Sequence, residues 1–98
     1  MPIQHTVVFR LEHAASSPEE QDFLAAARSI LTAIPGVRDF AVNRQVSPKS
    51  SLTFQFTMRF DDQAAYDAYN VHPSHVDFVA NRWVPEVAEF QEYDFVAA

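Results

Sequence analysis

Ile3, His5, Val7, Phe9 and Leu11 alternate with Gln4, Thr6, Val8 and Arg10. A period of two sustained this long predicts a β-strand with one buried face. Ser17-Pro18-Glu19-Glu20 follows: a capping serine, proline at the first helical position and a glutamate three residues after the cap. Phe23, Ala27, Ile30 and Ile34 continue at helical spacing, widened by Leu24 and Leu31, until Pro35-Gly36 stops the helix. A second alternation predicts a strand over 37–46, with Phe40 and Val42 opposite Val37 and Ala41. Ser47-Pro48-Lys49-Ser50 is a turn, and Leu52, Phe54, Phe56, Met58 and Phe60 mark the clearest strand of the chain. Strands joined by so short a turn form an antiparallel hairpin.

Asp61-Asp62 caps a predicted helix from Gln63 to Asn70 that His72-Pro73 breaks, because a residue before proline is pushed out of the helical region. Ser74 is the expected cap of the next helical stretch, with Asp77 at the capping-box position and Val76, Val79, Ala80 and Trp83 facing inward. Pro85 ends or kinks that stretch, and residues 88–96 close the chain as a last strand. The order β-α-β-β-α-β is the split βαβ plan of ferredoxin-like α+β domains: a four-stranded antiparallel sheet with helices on one face. The other face then needs cover. Pairing two sheets in a homodimer, as a dimeric α+β barrel, supplies it.

Composition narrows the chemistry. At 98 residues the chain is expected to be one domain. It has no cysteine and a single glycine, which leaves no thiolate chemistry and no glycine-rich phosphate loop. Thirteen acidic against seven basic residues give a net charge of −6, so no basic surface is available for nucleic acid. No apolar stretch is long enough to span a bilayer and no signal-peptide pattern opens the chain, so a cytoplasmic protein without membrane contact is the expectation.

Imidazole and phenol remain as the groups able to do chemistry. His5 shares a strand face with apolar residues, and an unpaired buried imidazole would cost roughly 1–3 kcal/mol, so it needs a partner or a pocket. Y-N-V-H-P-S-H at 69–75 collects Tyr69, His72 and His75. His75 falls in the first turn of a helix, where the dipole disfavours imidazolium and leaves a neutral base. His72, His75 and Asp77 are a weak metal trio, because Pro73 destroys the i, i+4 geometry of H-E-x-x-H. No metal or other cofactor is expected. His13 reads as a solvated loop residue. Glu86, Glu89, Glu92 and Asp94 read as a solvated edge of the last strand.

With H-T-V-V-F-R at 5–10, I-P-G-V-R-D-F at 34–40, H-P-S-H-V-D-F-V at 72–79 and F-Q-E-Y-D-F at 90–95, the chain resembles the stress-responsive A/B barrel domain (Dabb) family over nearly its whole length. That resemblance implies a ferredoxin-like fold in a dimeric α+β barrel with a small-molecule pocket. A plant member closes a polyketide chain by aldol condensation without a cofactor, which implies catalytic roles here for His5, Tyr69 and His75, His75 being the general base. His72, Trp83 and Phe78 would touch a small carbonyl or phenolic ligand. That plant protein has a further pocket tyrosine on the first helix, where this chain has Ala27. Three functions stay open: a cofactor-independent lyase, cyclase or isomerase; a non-catalytic structural dimer; and a relative of the cofactor-free monooxygenases that share the barrel.

Overall fold

The computed structural model describes residues 1–98. β1 (Ile3–Leu11) lies inside a four-stranded antiparallel sheet, with β3 (Phe54–Phe60) on one side and β4 (Val87–Phe95) on the other; β2 (Arg38–Arg44) lies beyond β3. Three registers fix the faces. Val7 pairs with Phe56 and Glu92, and His5 pairs with Met58 and Asp94, so these side chains share one face. Thr6, Thr57 and Tyr93 share the other.

Helices cover the first face only. α1 (Pro18–Leu31) is capped by Ser17, whose hydroxyl accepts from the Glu20 amide at 3.2 Å, while the Glu20 carboxylate accepts from the Ser16 amide at 3.2 Å. The helix stops at Leu31, short of the expected Ile34, and a turn carries Ile34 into the core. Gly36 follows at φ +91°, a conformation that costs glycine little. β2 is shorter than the expected 37–46, and its pairing with β3 slips between Arg38 and Ala41, where Asp39 has φ 55°.

α2 (Gln63–Val71) begins at Asp62, whose carboxylate accepts from the Ala65 amide at 2.9 Å. α3 (Pro73–Phe78) is capped by His72 and not by Ser74: Pro73 occupies the first turn, so the cap falls one residue before it. The helical path continues through a π-helical turn, Val79–Trp83, into α4 (Val84–Glu86). The path runs through Pro85 and ends one residue later at Glu86, with Val87 extended. The Val84 amide reaches back five residues to the Val79 carbonyl, and this wider turn accommodates a proline that has no amide to give. Val76, expected inward, is 51% exposed; Phe78 fills the inner position instead.

The core is aromatic. Phe9 is fully buried, its ring centroid 4.6 Å from that of Phe56, 5.0 Å from Trp83 and 6.0 Å from Phe23. One strand, one helix and the π turn thus meet at a single side chain. Truncating Phe9 leaves a cavity that none of those elements can close alone. Phe9→Ala is expected to cost about 3–5 kcal/mol, read as a lower urea midpoint at unchanged slope. A loss below about 1 kcal/mol would contradict this account of the core.

Candidate functional site

A cavity of about 430 Å³ opens between the helix-covered face of the sheet and α2, α3 and the π turn. Its walls include His5, Tyr66, Tyr69, His75, Trp83 and Glu92. The remaining lining is mostly apolar, with Phe56, Phe78 and Phe90 among it.

His75 owes its state to the break in the helix before it. A helix running on past α2 would bond the Asn70 carbonyl to the Ser74 amide. At this break the Ser74 amide turns to His72 Nδ1 at 3.1 Å, and His75 Nδ1 lies 3.1 Å from the Asn70 carbonyl oxygen. A carbonyl only accepts, so Nδ1 carries the proton and Nε2 is the bare nitrogen of neutral His75. Burial holds the His75 pKa below its ordinary value, offset in part by the Asn70 bond. The Tyr69 ring packs on it at 4.4 Å between centroids.

His5 is fixed from the opposite wall. It is 6% exposed, and its Nδ1 lies 2.6 Å from the Asp94 carboxylate, its register partner on β4. An ionised carboxylate accepts only, so His5 donates to it through Nδ1. The Tyr66 hydroxyl is 3.1 Å from the same Nδ1. Burial, then its hydrogen bond to Asp94, pushes the Tyr66 pKa up to about 12. Burial likewise raises that of Tyr69, so both phenols are neutral donors across the neutral range. Tyr69 bridges the histidines, 6.5 Å from the His5 ring and 4.4 Å from that of His75.

The structure thus brings His5, Tyr69, His75, Trp83 and Phe78 to one cavity. It does not bring His72 there: that imidazole accepts from the Ser74 amide, and its place before Pro73 commits it to capping α3. No group of three or more His, Asp or Glu side chains is arranged to hold a metal ion. Tyr66, Asn70, Glu92 and Asp94 are site residues that the sequence pattern did not single out. Tyr66 sits three residues before Tyr69 on the same helical face, a signal that was present. Asp94 is not merely a solvated edge residue: it is exposed on the edge strand β4, yet the β1–β4 register makes it the partner of His5.

His13 is not a solvated loop residue either. Its Nε2 lies 2.7 Å from Glu86, which also binds Arg82 Nε at 2.5 Å, and Arg82 reaches Asp22 at 2.8 Å. The four residues tie the loop after β1, helix α1 and the π turn together. Burial alone would raise the Glu86 carboxyl, but the bonds from Arg82 and His13 outweigh it and hold its pKa below the ordinary value. Ala27 is fully buried in the core rather than at the cavity wall.

A ferredoxin-like α+β sheet with a histidine- and tyrosine-lined cavity beneath its helices defines the class. Residues 3–97 match the family model of the Stress Responsive A/B Barrel Domain, and the chain belongs to that family. A Dabb-family protein of ferredoxin-like fold from Mesorhizobium loti is 56% identical, with a TM-score of 0.98 over 99% of this chain and 97% of that one. A dimeric ferredoxin-like protein of unknown function from Thermobifida fusca is 21% identical, with a TM-score of 0.81 over 99% and 92%. Hydroxynitrile lyase from Passiflora edulis shares the fold at 14% identity, with a TM-score of 0.86 over 99% and 94%. Among curated proteins none matches the chain by sequence.

The lowered pKa of His75 has a consequence for stability. Above the ordinary histidine pKa of 6.5 both folded and unfolded states hold it neutral, and it adds no pH dependence. Below that value the unfolded chain binds the proton more readily, so His75 costs stability progressively as pH falls toward its folded value. Wild type is therefore expected to lose more stability than His75→Gln between about pH 7 and about pH 5 in urea titrations. Identical pH slopes would contradict the desolvated, neutral imidazole.

Proposed function

We propose that the cavity binds a small carbonyl or phenolic compound and that His75 removes a proton alpha to the carbonyl, as in a cofactor-independent lyase, cyclase or isomerase. The bare Nε2 of His75, set by the Asn70 carbonyl in a desolvated wall, is the observation that supports this reading most strongly. A base must be unprotonated at working pH, and burial keeps it so. The phenol of Tyr69, packed against His75, would donate to the substrate oxygen as negative charge develops, and His5 would orient the substrate. Passiflora edulis hydroxynitrile lyase adds only a fold-level analogy: one protein on this scaffold bears a lyase name.

Exchange of alpha protons in deuterated water tests the base directly. Wild type is expected to exchange the methyl protons of a bound aryl methyl ketone, and His75→Ala to slow that exchange about 10²–10⁴-fold while still binding. Unchanged exchange in the variant would overturn the role of His75. Binding without exchange in wild type would favour a pocket protein that is not an enzyme.

The same reading includes a homodimer in a cytoplasmic setting. No helix covers the second face of the sheet, where Tyr93 and Phe95 are about half exposed, and Val96 just beyond β4 adds further apolar surface. The Thermobifida fusca relative is dimeric. Light scattering is expected to give twice the chain mass at micromolar concentration, with an interface of roughly 1,600 Å² or more in total. A monomer would overturn it.

A further inference from the structure

We infer that the cavity selects uncharged carbonyl compounds and rejects anionic ones, and that Glu92 on β4 is the residue that sets this choice. The inference rests on the site reading above and adds to it the class of substrate admitted. It stands on where every charge of the chain is placed.

Neither lysine nor arginine lines the cavity. All seven cationic side chains lie elsewhere. Arg82 is held by Glu86 and Asp22, Arg38 by Asp61, Arg59 by Asp39, and Arg10 lies 3.5 Å from Glu89. Arg28 sits over Phe40 and Arg44 over Phe54, both toward the β2 end of the sheet. Lys49 is in the turn between β2 and β3. A carboxylate or phosphate entering the cavity would therefore lose water and meet no counter-charge.

It would instead meet negative charge. Glu92 lines the wall beside Val7, its register partner, and Asp94 stands just behind His5 on the same strand. Asp94 is committed to His5 and Tyr66, whereas Glu92 makes no hydrogen bond or ion pair. Its charge acts on Tyr66, Tyr69 and His75, raising the first two pKa values and opposing the fall in the third. The polar groups that do face the cavity suit a neutral carbonyl: phenol hydroxyls to donate and the bare nitrogen of His75 to accept. The rest of the lining, Trp83 and Phe90 included, suits an apolar or aromatic remainder.

Trp83 is the one tryptophan of the chain and forms part of the cavity wall, so its fluorescence reports occupancy. Acetophenone and 4-acetylbenzoate share a ring and a ketone and differ by one carboxylate. Wild type at low salt is expected to bind acetophenone about ten-fold more tightly, the ratio that a like-charge cost of about 1.4 kcal/mol produces. Glu92→Gln should shrink that ratio and Glu92→Lys should reverse it. Raising the salt concentration should narrow the wild-type ratio, because Glu92 is exposed and its field is screened. Equal affinity of wild type for the two ketones, or a ratio indifferent to Glu92→Lys, overturns the selection by charge and leaves the site standing. Failure of both ketones to bind wild type and Glu92→Lys overturns the site itself.

Discussion

One unfilled backbone carbonyl organises the chemistry of this protein. Helix α2 ends where His72 precedes a proline, and the Asn70 carbonyl is left without the amide that a continuing helix would supply. A carbonyl at a helix end must take its hydrogen bond from another donor. His75 satisfies it with Nδ1–H at 3.1 Å, and that bond decides which ring nitrogen is left over. The bare Nε2 of His75 is thus a consequence of helix termination. Its position, its tautomer and its neighbour Tyr69 all follow from the same break.

The second proline acts on the opposite wall. The helical path ends just after Pro85, at Glu86, and the π turn before it sets Trp83 against the Phe9–Phe56 core. That turn is tied down from outside by Arg82, whose partners Asp22 and Glu86 lie on α1 and α4, and Glu86 in turn takes His13. Partly exposed pairs of this kind contribute little each. Here they act in one place, holding the segment whose inner face is the cavity wall.

Much of this was legible in the sequence, for reasons particular to each element. β1 and β3 alternate cleanly because one face is buried, and their buried positions fall where the alternation puts them. The helix-breaking His72-Pro73 pair announced itself, and with it the neighbourhood of Tyr69 and His75. What the sequence concealed depends on partners distant along the chain. Asp94 reads as a solvated acid until strand register sets it opposite His5. His13 reads as a loop residue until Glu86 is brought to it across the fold. His72 looked like a member of the histidine site, but competition for a cap gave its nitrogen to the Ser74 amide. The irregularity around Asp39 in β2 stayed hidden too, because a pattern that counts in twos does not register a slip between strands.

The two histidines that share the cavity are held by different kinds of acceptor, and under the proposed function the difference suits them to different work. His5 meets an anionic carboxylate at 2.6 Å from a neighbouring strand, a charge-assisted bond that fixes the ring on a rigid sheet. His75 meets a neutral carbonyl on a short helix, in a wall where burial outweighs the stabilising bond and leaves the imidazole uncharged. A group that must orient a substrate gains from the first arrangement. A group that must accept a proton and return it gains from the second, since neither state is locked by a full opposite charge. Tyr69 lies between them with its hydroxyl proton retained. Under the proposed function the sheet supplies orientation and the interrupted helix supplies reactivity, and the cavity is the space where the two meet.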